Sequence, residues 1–374
     1  MKQQHILIVS SIYPPDEGGP ATFSKAFGQH LARLGFRVTV ICYGDLKLTP
    51  GYEIDSNGIE VIRIDRSLRT LHKLILFVLA SLRQSSRRTQ VIANGSFLEC
   101  IPMLLLRRVV FTSKIPGDIV WERASQQGLT QTNVFDFQNS RINFKYRIFR
   151  KLFTFVLKKS VAVIVPAKYL FDFCSKWGVA QNRLLLISNT VDVQKFSITP
   201  IEKKYDLITV GRLVPVKQIE EIIGVATELG LSLCVVGTGP LDQKLKNLAR
   251  ELGATTSFLG NIDQDSLPAI YNQSKIFVQN SQIEATSYAL LEARASGLFA
   301  VASELTGAAE VIQHGQDGLL FGKGSDLNLM GAIKQAVGYS PEQLSNFGSK
   351  AREDCIHRFN RDEVFNRIIE IMEI

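Results

Sequence analysis

The sequence predicts an α/β protein made of two successive doubly wound domains, and three observations lead to that prediction. The chain has 374 residues, which exceeds one ordinary core and suits two domains of about 190 residues each. A strand–helix–strand order opens the chain, and the same order starts again near residue 200. We therefore expect one domain over residues 1–195 and a second over 196–355, joined by a linker around residues 189–200.

The first domain opens with a β-branched run over residues 5–11, which is typical of a buried parallel strand. A loop containing Gly18 and Gly19 follows, and apolar residues at helical spacing then predict a helix over 20–34. Pro20 suits the first position of that helix, and Gly35 ends it. Residues 37–42 are the next strand, so the chain begins as a doubly wound unit does.

The second domain repeats this pattern from a strand over residues 205–210. Gly211 follows that strand, and a helix over 219–229 and a strand over 231–236 come next. Four more short strands alternate with helical segments, at residues 257–259, 276–278, 299–302 and 319–321. The alternation predicts a second parallel sheet covered by helices on both faces.

Charge is distributed unevenly between the two halves. Residues 1–195 contain 27 Lys and Arg against 13 Asp and Glu, a net charge of +14, whereas the remaining 16 and 22 give −6. This asymmetry indicates an anionic partner for the first half, and a membrane surface, a nucleic acid or a phosphorylated substrate would each fit. No nucleic-acid recognition motif accompanies the charge, so nucleic acid is not expected.

Cysteine usage and hydropathy exclude several classes of protein. The five cysteines are scattered singly, with no C-x-x-C pair and no zinc spacing, which is typical of reduced thiols in a cytoplasmic protein. The N-terminal apolar run stops at Pro14-Pro15 without a cleavage site, so we expect no signal peptide. Residues 74–82 are the longest helical apolar stretch and are too short to span a bilayer.

Residues 281–297 contain the most informative group of side chains. Glu284 and Glu292 lie eight positions apart, and Ala285-Thr286-Ser287 opens a helix expected over 288–296. A small-residue turn at a helix N-terminus presents backbone N–H groups to phosphate. The two carboxylates could then bind hydroxyl groups on either side of it. The alternative is an amphipathic helix with one solvated glutamate.

Two glycine-containing strand ends accompany that segment. Gly211 directly follows a strand, and Arg212 and Lys217 beyond it could neutralise a diphosphate, although a turn with two solvated charges would look the same. Gly237 lies in V-G-T-G-P at the end of another strand. The dinucleotide fingerprint requires a third glycine where Asp242 stands, so we expect a tight strand-to-helix turn and no NAD binding.

Taken in order, these segments resemble the retaining glycosyltransferases of family 4, and the resemblance covers almost the whole chain. It implies the GT-B fold, with two facing Rossmann-like domains and a C-terminal helix over 356–374 that packs back toward the N-terminal domain. The matching features are Gly18-Gly19, Asn189-Thr190-Val191-Asp192 with Phe196, Gly211-Arg212 with Lys217, residues 236–240, Phe258-Leu259-Gly260-Asn261-Ile262, Glu284 with Glu292, and Glu310 with Asp317-Gly318.

The resemblance also implies a role for each matching residue in binding a nucleotide-sugar donor. Arg212 and Lys217 would clamp the diphosphate, Glu284 would hold hydroxyls of the donor sugar, and Glu292 would accept hydrogen bonds from the ribose. Gly18, Gly19, Thr286 and Ser287 would offer backbone groups to the phosphates, and Ile262 would offer them to the base. Gly211 and Gly237 complete the expected donor-binding set. Arg212, Lys217 and Glu284 are also the expected catalytic residues of the C-terminal domain.

The chain departs from the family pattern in two places. Glu284-Ala285-Thr286-Ser287 stands where the family usually has Glu-Gly-Phe-Gly, which keeps the backbone donors and adds two hydroxyls. In the N-terminal domain, many members place a histidine near the reacting sugar, and here Asp118 is the candidate replacement. The competing interpretation is a buried aspartate that caps a helix.

Asp263 and Asp265 imitate the D-x-D metal motif of another transferase fold, but they precede a predicted helix, where aspartate is a common cap. We therefore expect no essential metal and no cofactor beyond the donor substrate. The charge on the leaving group would be neutralised by Arg212, Lys217 and helix dipoles.

Two basic stretches of the first half, residues 66–88 and 143–160, carry apolar stripes at helical spacing. Such helices can lie at an anionic membrane interface, or they can pack on a core with a solvated basic rim. Together with the resemblance, these stretches imply a cytoplasmic hexosyltransferase, peripheral on the inner face of the membrane, that uses a UDP- or GDP-sugar and a lipid-linked or polymeric glycan acceptor. The alternatives are a nucleotide-sugar epimerase of the same fold and a non-catalytic scaffold.

Overall fold

The computed structural model describes residues 4–107, 109–130, 132–305, 307–322 and 324–373. The chain divides into two compact units. The first runs to Ile187 and takes up the chain again from Phe365, and the second is Ser188–Val364. Each unit is built around one sheet with helices packed on it, so the α/β architecture predicted from the sequence is confirmed.

The sheet of the first unit has the strand order β3-β4-β2-β1-β5-β6-β7-β8 and is parallel except for β3. Its strands are β1 His5–Ser10, β2 Arg37–Gly44, β3 Tyr52–Ile54, β4 Glu60–Asp65, β5 Gln90–Asn94, β6 Val110–Lys114, β7 Ala162–Val165 and β8 Leu184–Leu186. Its helices are α1 Gly19–Arg33, α2 Thr70–Gln84, α3 Ile101–Arg107, α4 Ile119–Gln126, α5 Val134–Phe137, α6 Phe144–Lys159 and α7 Lys168–Lys176.

The middle of this first sheet is β1, whose residues 6–9 are fully buried between β2 and β5. The chain leaves β1 toward β2 on one side, whereas β5 lies on the other side, so the strand order reverses between β1 and β5. Asn94 ends β5, and its side-chain amide donates to the carbonyl of Pro20 (3.0 Å) and to the Ser24 hydroxyl (3.1 Å). These bonds fix the first turn of α1 at the reversal.

The sheet of the second unit is parallel throughout, with the order β11-β10-β9-β12-β13-β14. Its strands are β9 Tyr205–Val210, β10 Leu233–Val236, β11 Thr256–Gly260, β12 Ser274–Gln279, β13 Phe299–Ser303 and β14 Gly318–Phe321. The helices that follow α7 in the chain are α8 Ile219–Glu228, α9 Asp242–Glu251, α10 Leu267–Asn272, α11 Tyr288–Ala295, α12 Leu329–Val337, α13 Pro341–Arg358 and α14 Arg361–Ile371.

The boundaries between the units differ from those expected at 195/196 and 355/356. Val191, Val193 and Phe196 are buried in the core of the second unit, which is why that unit starts at Ser188. The C-terminal segment is two helices rather than one. Helix α13 packs against α11 of the second unit, whereas Phe365 of α14 packs on the ring of Phe27 in α1, 5.2 Å away.

All five cysteines are buried and unpaired. Among the described residues, no helix combines the length and the apolar character that a bilayer crossing requires.

Candidate functional site

The site lies where the strand order of the second sheet reverses, between β9 and β12. In open parallel sheets, ligands bind in the crevice outside the carboxyl ends of the strands at such a reversal. The loop after β9 starts at Gly211, and the loop after β12 leads through Ser281 to Glu284. A small crevice between these strand ends is lined by Thr209, Val210, Gly211, Lys217, Ile219, Gln279, Asn280 and Ser281.

Gly211 and Gly237 let the turns after β9 and β10 approach each other closely. Both have positive φ angles, 151° and 125°, a conformation that favours glycine. A Cβ atom at Gly237 would lie only 2.1 Å from the carbonyl oxygen of Gly211. The Gly211 N–H donates to Val236 (3.0 Å), and the Gly237 N–H donates to Gly260 (2.7 Å). The two glycines therefore give the site a tightly joined backbone floor.

Lys217 and Glu284 form an ion pair across the crevice. Lys217 ends a short helical turn, and its side chain is about one-fifth exposed. A backbone bond from Gln282 N–H to the carbonyl of Val216 (2.9 Å) holds the two loops together. Arg212 is exposed, and within the described part of the chain its side chain makes no ion pair or hydrogen bond. The site thus has one cation held beside a carboxylate and a second one open to solvent.

The turn over residues 284–287 is fixed by contacts from distant parts of the unit. The side-chain amide of Asn189 donates to the carbonyl of Thr286 (2.6 Å), and the Gly307 N–H donates to the carbonyl of Glu284 (2.9 Å). Thr286 and Ser287 are buried, and the Ser287 hydroxyl caps α11 by accepting from the Leu290 N–H at 3.4 Å. One of the two hydroxyls that replace the usual family residues is therefore used to start the helix.

Glu292 lies just over one turn into α11 and is half-buried. The hydroxyl of Tyr271 in α10 lies 3.1 Å from its Oε2. Burial raises the pKa of the Glu292 carboxyl to about 7, while the hydrogen bond from Tyr271 and the charge of Lys195 act in the opposite direction. The sequence pattern indicates Glu292 but not Tyr271, because nothing in the local pattern around residue 271 indicates its partner.

This pKa has a consequence for stability. Between the ordinary glutamate value of 4.5 and about 7, native Glu292 keeps a proton that the unfolded chain releases, so the free energy of unfolding falls as pH rises through this window. We expect Glu292→Gln to remove this part of the decline, at most about 3 kcal/mol. Urea unfolding of both proteins at pH values below and above the window measures it, and equal slopes would contradict the assignment.

Helix α11 is held from its other side by a buried charge cluster. Arg294 is fully buried, and its Nη2 lies 2.8 Å from Asp317 and 3.1 Å from Asp354. Asp317 is one of the residues that match the family pattern, but the resemblance gives it no role. Its role in the structure is to pair with Arg294, and this pair fixes the orientation of the helix that carries Glu292.

Ile262 packs on the core, whereas Asp265, three residues further on, forms a surface ion pair. Ile262 is half-buried and packs on the core of the second unit. The expectation that the Asp263/Asp265 pair caps the next helix is wrong, since Ser266 is the residue before α10 and Asp265 instead binds Lys195 at 2.8 Å. In the described ranges, no group of three or more His, Cys, Asp and Glu side chains could hold a metal ion.

The remaining predicted residues belong to the first unit. Gly18 has a φ of 147° and precedes α1, which starts at Gly19. Asp118 is buried: its Oδ1 accepts from the backbone of Val120 and Trp121 (3.0 and 3.1 Å), and its Oδ2 accepts from Gln138 (2.8 Å). This is the geometry of the competing interpretation, a buried helix cap. We therefore treat Asp118 as a structural residue.

Comparison with protein families and known proteins adds to this geometry. The family model of the glycosyl transferases group 1 matches residues 191–354, and that of glycosyltransferase family 4 matches residues 17–195. N-acetyl-alpha-D-glucosaminyl L-malate synthase of Bacillus anthracis is 29% identical over 190 residues, covering 46% of this chain and 48% of that protein. The chain spans about half the length, or less, of the curated relatives that it matches first.

Solved structures share the fold over nearly the whole chain. Sucrose-phosphate synthase of Thermosynechococcus elongatus superposes with a TM-score of 0.82 at 18% identity, covering 99% of this chain and 98% of that one. HepE of Anabaena, solved with UDP-glucose, superposes with a TM-score of 0.75 at 17% identity and 99% coverage of both chains.

Proposed function

Because this chain belongs to the group 1 glycosyltransferases of family 4, enzymes of the GT-B fold that act on nucleotide sugars, we propose that it transfers a hexose from a UDP- or GDP-sugar to a glycan or lipid-linked acceptor. The transfer would retain the anomeric configuration. The observation that carries the proposal is the arrangement of Arg212, Lys217 and Glu284 at the strand reversal of the second unit. Beside them, the start of α11 presents backbone N–H groups.

The donor diphosphate would bind at this point of the site. Its oxygens would accept hydrogen bonds from Arg212 and Lys217, and the N-terminal end of α11 would add a favourable dipole. In the complex these groups would stabilise the negative charge that develops on the leaving nucleoside diphosphate. No step of this mechanism requires a metal ion.

The donor diphosphate can replace Glu284 as the partner of Lys217. A diphosphate that binds Lys217 competes with Glu284 for the ammonium group, and the carboxylate is then available to accept hydrogen bonds from hydroxyls of the donor sugar. In the same complex, Glu292 would accept hydrogen bonds from the ribose hydroxyls, which favour its ionised form. We therefore assign Glu284 to the sugar and Glu292 to the nucleoside.

The first test is the choice of nucleotide and the need for metal. A ligand that binds only the native protein raises its stability, so a thermal-shift series with UDP, GDP and ADP identifies the base. UDP comes first because the Anabaena protein was solved with UDP-glucose. We expect release of the nucleoside diphosphate from the matching hexose donor to continue in EDTA.

Two outcomes would contradict the proposal. If none of the three nucleotides shifts the unfolding temperature, the site does not bind a nucleotide donor. If EDTA abolishes turnover and magnesium or manganese restores it, the leaving group depends on a metal and not on Arg212 and Lys217 alone. The configuration of the product, measured from its anomeric proton resonance, decides between retention and inversion.

A further inference from the structure

One face of the first unit is covered by helices whose connections cross the sheet in the same direction, from β4 toward β7. The chain passes from β4 to β5 through α2, from β5 to β6 through α3, and from β6 to β7 through the segment that contains α6. Right-handed crossovers place all three helices on the same side of the sheet. Helix α2 packs against α3, and the short turn Leu98–Cys100 contacts α2, α3 and α6. Helix α1 connects strands in the opposite direction and lies on the other side.

This face exposes an unusual number of large aliphatic side chains. Helix α2 has 15 residues, and Phe77 and Ser81 are its only buried side chains. Six large aliphatic residues on α2 and α3 have exposed fractions between 43% and 69%; they are Leu71, Ile75, Leu76, Leu79, Leu105 and Leu106. Isolated exposed leucines are common, but contiguous apolar surface on neighbouring helices marks an interaction site.

The same face is basic and lacks acidic side chains to balance it. From residue 66 to residue 98 the sequence contains no Asp or Glu. Five exposed arginines on and beside α2 and α3 form no ion pair within the described ranges, whereas Arg66 pairs with Asp16 and Lys73 is half-buried; the five are Arg69, Arg83, Arg87, Arg88 and Arg107. Aliphatic side chains surrounded by unpaired cations complement an anionic lipid surface better than they complement a protein, whose surface would have to supply both acids and apolar groups.

Helix α6 extends this surface with the N-terminal part of the second basic stretch. Phe144, Ile148 and Leu152 are exposed at positions i, i+4 and i+8. Val156, at the C-terminal end of the same apolar stripe, is buried in the core, so only the first half of α6 belongs to this surface. Arg150 is not available to a lipid phosphate either, since its guanidinium lies over the rings of Phe137 and Trp177, 5.1 and 5.6 Å away.

We propose that the face formed by α2, α3 and the first half of α6 is a docking surface for an anionic membrane. Its aliphatic side chains enter the interface between headgroups and acyl chains, and its arginines bind the lipid phosphates. The further statement that this membrane also carries the acceptor depends on the proposed function. Binding of the chain to lipid does not rest on it.

The test is sedimentation of the full chain with vesicles of phosphatidylcholine, with and without phosphatidylglycerol. We expect binding to the anionic vesicles at low ionic strength, release as salt rises, and no binding to the neutral ones. The variant Leu71→Ser/Ile75→Ser/Leu79→Ser should bind at least about tenfold more weakly, because it removes a line of inserted side chains. The variant Arg83→Gln/Arg87→Gln/Arg88→Gln should bind more weakly and with a smaller dependence on salt.

A matched control comes from the second unit, where Leu252 and Leu305 are exposed to a similar extent, 44% and 47%. The variant Leu252→Ser/Leu305→Ser should bind vesicles as the wild type does. The proposal is overturned if the wild type ignores anionic vesicles at low ionic strength, or if the α2 leucine variant binds as well as this control. It is also overturned if the wild type is a dimer and the α2 variant a monomer, since the face would then bind a second copy of the chain.

The thermal shift with nucleotide separates this proposal from the proposed function. All vesicle-binding variants lie outside the nucleotide site, so each should keep the wild-type shift. Vesicle binding without any nucleotide shift would leave the docking surface standing and remove the transferase assignment. A nucleotide shift without vesicle binding would do the opposite.

Discussion

Replacing Arg212 or Lys217 by alanine is expected to weaken nucleoside-diphosphate binding by about 10- to 100-fold, because a hydrogen bond to a charged group contributes about 1.5–3 kcal/mol. The loss of affinity should differ between the two variants. Arg212 is exposed and has no carboxylate partner among the described residues, so Arg212→Ala removes one phosphate contact and little else. Lys217→Ala also leaves the carboxylate of Glu284 without its partner, close to the incoming diphosphate.

The repulsion from that unpaired carboxylate makes Lys217→Ala the larger effect. The double variant Lys217→Ala/Glu284→Gln should therefore recover part of the lost nucleotide affinity, although the neutral amide introduced at position 284 would bind the sugar less well. Isothermal titration with the nucleotide chosen by thermal shift measures all three variants. Unchanged affinity in both single variants would remove the diphosphate from this position.

Lys244→Ala is the matched control for charge. Lys244 belongs to the same unit, is exposed on α9 and pairs with Glu220 at 3.4 Å, and it is not one of the residues that line the crevice. The substitution Lys244→Ala lowers the net charge by the same amount as Arg212→Ala or Lys217→Ala does. If Lys244→Ala weakened nucleotide binding as much as Lys217→Ala does, the effect would come from the overall field of the unit and not from a clamp on the phosphates.

The sequence predicted the elements of the second unit well because each has a local signal. The strand Tyr205–Val210 is a short apolar run closed by glycine, and α11 follows a small-residue turn that a serine can cap. Family 4 membership, the GT-B fold and the two-sheet architecture followed from such segments taken in order, and the comparisons confirm them.

What the sequence could not predict depends on contacts between distant positions. The bond from Asn189 to Thr286 joins residues 97 positions apart, and the ion pair of Lys217 with Glu284 joins residues 67 apart. Asp265 fits a helix cap by spacing, but its actual partner is Lys195, 70 positions away. Local periodicity carries no information on such pairs, so residue types were predicted at the site and partners were not.

The exposed face of α2 illustrates a different gap. Its stripe of leucines at helical spacing is equally compatible with a buried and an exposed helix face. The structure separates the two cases, because only Phe77 and Ser81 of α2 are buried while the α2 aliphatic residues Leu71, Ile75 and Leu79 are exposed. The same sequence pattern on α6 is divided differently, with its C-terminal apolar residues inside the core.

Gly237→Ala is expected to destabilise the second unit by at least about 3 kcal/mol and to remove nucleotide binding from the protein that still folds. The positive φ of 125° costs any residue with a side chain about 1–3 kcal/mol. The added methyl group would also lie 2.1 Å from the carbonyl oxygen of Gly211, and backbone cannot yield as a flexible side chain does. The two costs add because one concerns the local conformation and the other a contact across the floor of the site.

Gly253→Ala separates these two costs. Gly253 also has a positive φ, 65°, but nothing lies within 4 Å of a Cβ atom placed there. Gly253→Ala should therefore lower the free energy of unfolding only by the conformational cost, about 1 kcal/mol, and should bind nucleotide as the wild type does. Urea unfolding and nucleotide titration of both variants test the comparison. If Gly237→Ala were no more destabilising than Gly253→Ala, the close approach of the turns after β9 and β10 would not be what requires glycine at position 237.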